Sequence, residues 1–297
     1  MQEVSSEATT QLEDHFITLP DGVTVHYQEA GSPEALPVVL THGFLGSFRD
    51  WRYTIEPLAS LGAARNQPLR VIALDWAGFG LSSKPDTTYS LTYYAGFLKR
   101  FFDALGLKRV YLVGHSMGGK HNLAFALLHP EYVEKLALVS TDGFVEDPKW
   151  IKNTDKAYFE LFSHFTTSLL SRKWFLKFTL KTIFYDKKFF PSEEELKAAA
   201  QEFRDPQYKI ALLAQNRYYS LRSLTLTGFR QRLGELKVPV QLYWGLQDRL
   251  LTIENGYRAQ QEIPGAQLYV FDKCGHMPQI EHAEEFNQKL LEFLSGS

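Results

Sequence analysis

The chain has 297 residues, 44% hydrophobic and 22% charged, with a formal net charge of −2 and a single cysteine, Cys274. That suits one large α/β domain with a sizeable core; it gives no electrostatic reason to expect nucleic acid, and it excludes an intramolecular disulfide or a zinc site needing two cysteines. Met1 to Glu13 is polar and acidic, without the apolar core of a signal peptide, and no apolar run reaches the ~18 residues of a membrane span, so a soluble, cytoplasmic protein is expected.

Residues 1–13 read as a loosely docked tail. Phe16 to Leu19 and Val23 to Gln28 predict two strands joined by the turn Pro20-Asp21-Gly22, so the sheet opens antiparallel. Val38 to Leu40 predicts a short buried strand that runs into Thr41-His42-Gly43-Phe44-Leu45-Gly46-Ser47, and a helix with Trp51 and Ile55 facing inward follows. Val71 to Leu74 is the next strand, ending at Asp75 to Ser82, and Leu91 to Leu105 has helical spacing closed by Gly106. Val110 to Val113 is apolar and enters Gly114-His115-Ser116-Met117-Gly118; a helix is read from His121 to Leu128, stopping at His129-Pro130. Leu136 to Val139 is one more buried strand. Apolar strands alternating with helices predict an α/β fold with a mostly parallel sheet covered on both faces.

The pattern breaks at 145–232, which is helical in character and crowded with aromatics, among them Trp150, Tyr158, Phe159, Phe162, Phe165, Trp174, Phe175, Phe178 and Phe184. A stretch of that length is no loop, and it reads as a helical cap inserted in a core domain made of 1–144 plus 233–297. The strand Val238 to Trp244, a helix near Glu254 to Glu262, the strand Gln267 to Phe271 and a helix from about Ala283 to Leu294 complete the core.

The chemistry starts from Ser116, at a strand–turn–helix elbow that would leave its hydroxyl bare. A serine needs a base, and the base needs an acid that holds its tautomer. Both partners should lie where other strands end on the same sheet edge. Asp248 lies just past the strand ending at Trp244, and His276 past the last strand; Asp142 is the rival acid, and Asp75 is expected to brace a loop. The N–H of Met117, at a helix start, and that of Phe44, in the loop after Leu40, are the expected oxyanion donors. His42, Gly43, His115 and Met277 flank these positions and are the expected substrate-contacting residues, His42 and His115 by orienting loops. No metal or cofactor is called for.

Together His42-Gly43-Phe44, Asp75 to Ser82, Gly114 to Gly118, Gly245 to Asp248 and Gly275-His276 resemble the α/β-hydrolase-fold serine hydrolases. Within that superfamily Cys274-Gly275-His276 with Glu281 to Asn287 is similar to the meta-cleavage-product hydrolases, which cut C–C bonds in ring-fission dienones. That group usually carries Asn before the nucleophile and Trp after the base, where this chain has His115 and Met277. The resemblance implies a hydrolase. The main expectation is a carboxylic ester hydrolase for apolar small-molecule or lipid-like esters; the alternatives are a C–C hydrolase and a non-enzymatic ligand-binding relative. Arg217 and Arg222 are candidate cap residues for a substrate carboxylate. In the cap, Lys173, Lys177 and Lys181 recur every four residues beside Trp174 and Phe178. This predicts a helix with aromatics over the cavity and lysines in water, with a second reading in which it rests on an anionic membrane surface.

Overall fold

The structure is a computed structural model that describes residues 12–145, 168–169, 171–217 and 222–296. Eight strands form one sheet in the order β1-β2-β4-β3-β5-β6-β7-β8. They are β1 (His15–Thr18), β2 (Thr24–Gly31), β3 (Pro37–Thr41), β4 (Arg70–Leu74), β5 (Val110–His115), β6 (Val133–Val139), β7 (Val240–Gly245) and β8 (Gln267–Phe271). The hairpin β1–β2 is antiparallel, β2 also runs antiparallel to β4, and the pairs from β4 to β8 are parallel.

Alternate residues of the central strands feed two cores. Val39, Ile72, Leu74, Leu112 and Leu136 pack with α2 (Leu91–Ala104), α3 (Met117–Leu128) and Ala259 and Ile263 around α7 (Ile253–Glu262). Val38, Leu40, Val71, Val113 and Val139 pack with α1 (Ile55–Ala64) and with Phe286, Leu290 and Leu294 of α9 (Ala283–Ser295). Burial on both faces explains why these strands read as continuous apolar runs. It also leaves the carboxyl ends of the parallel strands, at Thr41, His115, Val139, Gly245 and Phe271, lined along one edge.

Between β6 and β7 lie α4 (Lys173–Ile183), α5 (Glu193–Glu202) and α6 (Pro206–Arg217). Ser192 and Glu195 cap α5 reciprocally. Leu176, Leu196, Phe203, Tyr208 and Leu212 join the same apolar cluster as α2 and α3, so these helices are seated on the core. Trp150, Tyr158, Phe159, Phe162 and Phe165 lie outside the described residues. The structure corrects one expectation for α4. Its inward residue is Leu176, whereas Trp174 (65% exposed) and Phe178 (64%) point to solvent, one helical turn apart. Lys173 and Lys177 stand in water as expected, about half exposed, and both pair with the exposed Glu193. Among the described residues no helix is long and apolar enough to cross a membrane.

Candidate active site

β5 passes into α3 through one residue, Ser116, held at φ 51° and ψ −118°. A non-glycine residue in that region stores about 1–3 kcal/mol and persists only where its surroundings insist on it. Here they do. Ser116 N–H donates to the Val139 carbonyl at 2.8 Å, and its own carbonyl accepts from Asp142 N–H at 3.1 Å. A Cβ at Gly118 would lie 2.6 Å from the carbonyl oxygens of both Thr41 and His42, so only glycine lets α3 start this close to the end of β3. α3 therefore begins at Met117, four residues before the helix expected from the sequence, and the N–H groups of its first turn have no acceptor within the helix.

Asp248 and His276 meet from the ends of β7 and β8. Asp248 Oδ2 lies 2.7 Å from His276 Nδ1, and the two residues are 3% and 2% exposed. The other carboxylate oxygen, Oδ1, accepts from Leu250 N–H and Leu251 N–H, both at 2.9 Å. An ionised carboxylate only accepts, so the imidazole proton sits on Nδ1 and the lone pair on Nε2, the tautomer a general base needs. The rival acid is otherwise engaged: Asp142 is paired with Lys120, itself 4% exposed. Burial alone would raise the Asp142 carboxyl, but Lys120, Arg222 and the Gly143 N–H outweigh it and hold it below the ordinary carboxylate range.

The loop after β3 closes over the elbow. A Cβ at Gly43 would lie 3.1 Å from that of Ser116. His42 is fully buried; its Nε2 accepts from Trp76 N–H at 3.1 Å, which leaves Nδ1 as the donor to the Gly43 carbonyl at 2.8 Å. Burial keeps that ring neutral. His42 thus holds the loop through backbone contacts. Asp75 braces it from below, accepting from Phe48 N–H at 2.7 Å, Leu81 N–H at 2.9 Å and His26 Nδ1 at 2.8 Å. Phe44 is 41% exposed, with its ring 6.0 Å from that of Phe79.

His115 Nε2 donates to the His276 carbonyl at 2.9 Å, and the two rings lie 4.7 Å apart. Burial and the neighbouring His276 hold it well below its ordinary value, so it is neutral. It contacts the loop of the histidine, and its buried Nδ1 has no hydrogen-bond partner among the described residues. Met277 packs with Phe184 and Ile280. Arg222, 5% exposed, reaches Gln215 Oε1 at 3.4 Å and lies 6.0 Å from the Phe44 ring. The side chain of Arg217 lies outside the description. Among the described residues no cluster of three or more His, Cys, Asp or Glu is arranged to hold a metal.

One titration in this neighbourhood gives a direct test. Burial pushes the Asp50 carboxyl, seated against Gly46, up to about 7 from 3.8; Asp75 raises it further, while Arg52, His276 and the Gly43 N–H oppose. The folded chain then holds a proton that the unfolded chain has lost between about pH 4 and 7, so stability falls as pH rises through that window. Asp50→Asn resembles the protonated acid and escapes the penalty. It should match wild type in thermal unfolding at pH 4 and exceed it at pH 8, by on the order of 2 kcal/mol for a carboxyl that is only partly covered.

The family model described as alpha/beta hydrolase fold matches residues 37–283. The chain is 32% identical over 290 residues to a 2-hydroxy-6-oxononadienedioate/2-hydroxy-6-oxononatrienedioate hydrolase of Paraburkholderia phymatum, covering 94% of each. It is 30% identical over the whole of both chains to a 2-hydroxy-6-oxo-6-phenylhexa-2,4-dienoate hydrolase of Burkholderia cepacia. Its fold superposes on the crystal structure of a bacterial membrane phospholipase A with a TM-score of 0.76 at 26% identity, over 96% of this chain and 86% of that one.

Proposed function

The chain belongs to the α/β-hydrolase fold family, and from that premise we propose that it is a serine hydrolase that cleaves a C–C bond next to a carbonyl in an apolar oxo-dienoate. Ser116 Oγ attacks the carbonyl carbon as His276 Nε2 takes its proton, and Asp248 stabilises the imidazolium so formed. The N–H groups of Phe44 and Met117 receive the negative charge that develops on the carbonyl oxygen. The dienol first ketonises, its 2-hydroxyl proton moving to the carbon beside the 6-oxo carbonyl. Collapse of the tetrahedral adduct then breaks the C–C bond and leaves a carbanion delocalised through the remaining C=C into the new 2-keto group, which takes the proton from His276. Water then releases the acyl group by the same steps in reverse. Residues 145–232 serve as the cap over this site.

The observation that carries the substrate assignment is Arg222. A guanidinium 5% exposed beside the ring of Phe44, which in turn meets Phe79 and through it Tyr208, suits an apolar substrate that ends in a carboxylate. The relatives at 30–32% identity whose names specify oxo-dienoate substrates support it. Ester hydrolysis is the second reading, favoured by His115 and Met277 standing where the C–C hydrolases usually carry Asn and Trp. The outward Trp174 and Phe178 of α4 would suit a lipid-like ester presented at a membrane surface.

Steady-state kinetics on 2-hydroxy-6-oxo-6-phenylhexa-2,4-dienoate and on p-nitrophenyl butyrate separates the two. The dienoate should give the higher kcat/KM. Arg222→Met should raise its KM by about 10- to 100-fold, the worth of one charge-assisted hydrogen bond, and change the neutral ester far less. The reverse order of substrates, with Arg222→Met silent on both, makes the protein an esterase.

A further inference from the structure

Glu281 ends α8 (Pro278–Glu281) and is 8% exposed. Its carboxylate is spent on the backbone of two segments that are distant in sequence. Oε1 accepts from Gly275 N–H at 2.8 Å, in the loop of the histidine. Oε2 accepts from Tyr185 N–H at 2.7 Å and Asp186 N–H at 3.0 Å, just past the end of α4 in the cap. Beside it, His276 N–H donates to the Ile183 carbonyl at 2.7 Å. A Cβ at Gly275 would lie 2.4 Å from that same carbonyl oxygen, so the two segments touch backbone to backbone. Phe184, Met277 and Ile280 seal the contact with an apolar cluster.

We propose that Glu281 is a positioning residue that clamps the His276 loop to residues 183–186 of the cap, so that the base is in place only while this end of the cap is seated. The proposal rests on the reading of His276 as the base. Hydrogen bonds to an ionised acceptor are the strong ones, and each of the two carboxylate oxygens serves a different segment. A glutamine of nearly the same volume offers one accepting oxygen. It can hold Gly275, or Tyr185 and Asp186, but not both. Aspartate keeps two oxygens on a stem one methylene shorter.

The test compares the full chain with Glu281→Gln, Glu281→Asp and His276→Ala. The readouts are kcat and KM on p-nitrophenyl butyrate, the rate at which a fluorophosphonate modifies Ser116, and the thermal midpoint. Glu281→Gln should lower kcat and the modification rate together, by about 10- to 100-fold, with KM within about twofold and a folded protein. Glu281→Asp should recover part of the loss, and His276→Ala should be inactive. The clamp is overturned if Glu281→Gln turns over like wild type while His276→Ala is inactive. It is equally overturned if the loss lies in KM alone or follows the unfolded fraction. Turnover by His276→Ala at the wild-type rate would instead remove the triad, and the clamp with it.

Discussion

Replacing Ser116 by alanine lowers kcat by about a million-fold on either substrate, the scale on which loss of a triad nucleophile is felt, and leaves the fold in place. The reason the fold survives is local. The elbow already accommodates a Cβ at φ 51°, beside Gly43, and alanine keeps that Cβ while removing only the hydroxyl. A thermal midpoint near that of wild type beside the lost turnover checks both halves. A large loss of stability would mean that the hydroxyl was structural.

Asp248→Asn follows, with kcat expected to fall by about 10⁴, as when the acid of a serine-protease triad is converted to its amide. The geometry says why. Oδ1 of Asp248 holds the N–H groups of Leu250 and Leu251. An asparagine must keep its oxygen there, which turns its NH₂ toward His276 Nδ1. That nitrogen must then accept, the ring proton moves to Nε2, and no lone pair remains to take the proton of Ser116. Asp142→Asn is the contrast. It leaves the buried Lys120 without its carboxylate, so its cost should appear in thermal unfolding, and kcat should stay within about threefold of wild type, since no catalytic mechanism is touched. Greater damage to kcat from Asp142→Asn than from Asp248→Asn would reassign the acid.

What the sequence made legible follows from what the physics makes local. The strands inside the sheet, β3 to β7, each carry a buried apolar run, so they and their alternation with helices could be read directly, and strand ends then pointed to Ser116, Asp248 and His276. The start of α3 could not. Gly118 and Gly119 look like a turn because glycine is a poor helix former, and only the close approach of the Thr41 and His42 carbonyls to Gly118, and of the Thr141 side chain to Gly119, explains why glycines stand in this helix. Residues 173–184 show the same limit. Periodicity divides α4 into faces, but which face turns inward depends on the core beneath, and it is the side of Leu176, with Trp174 and Phe178 left outside. Arg222 could be named but not placed. Glu281 was readable only as part of a family-like tail, because its partners are backbone N–H groups that carry no signature in the sequence. A glutamate five residues after the histidine, at the end of a one-turn helix, was the only clue.

Every step of the chemistry starts from a serine activated at the elbow, and locating the site of covalent inactivation reaches that serine directly. The protein is inactivated with a fluorophosphonate, digested, and the adduct located by mass spectrometry. One stoichiometric adduct is expected, on Ser116, forming in step with the loss of turnover and far more slowly in Asp248→Asn. Complete inactivation with Ser116 unmodified and the label on another residue would contradict it.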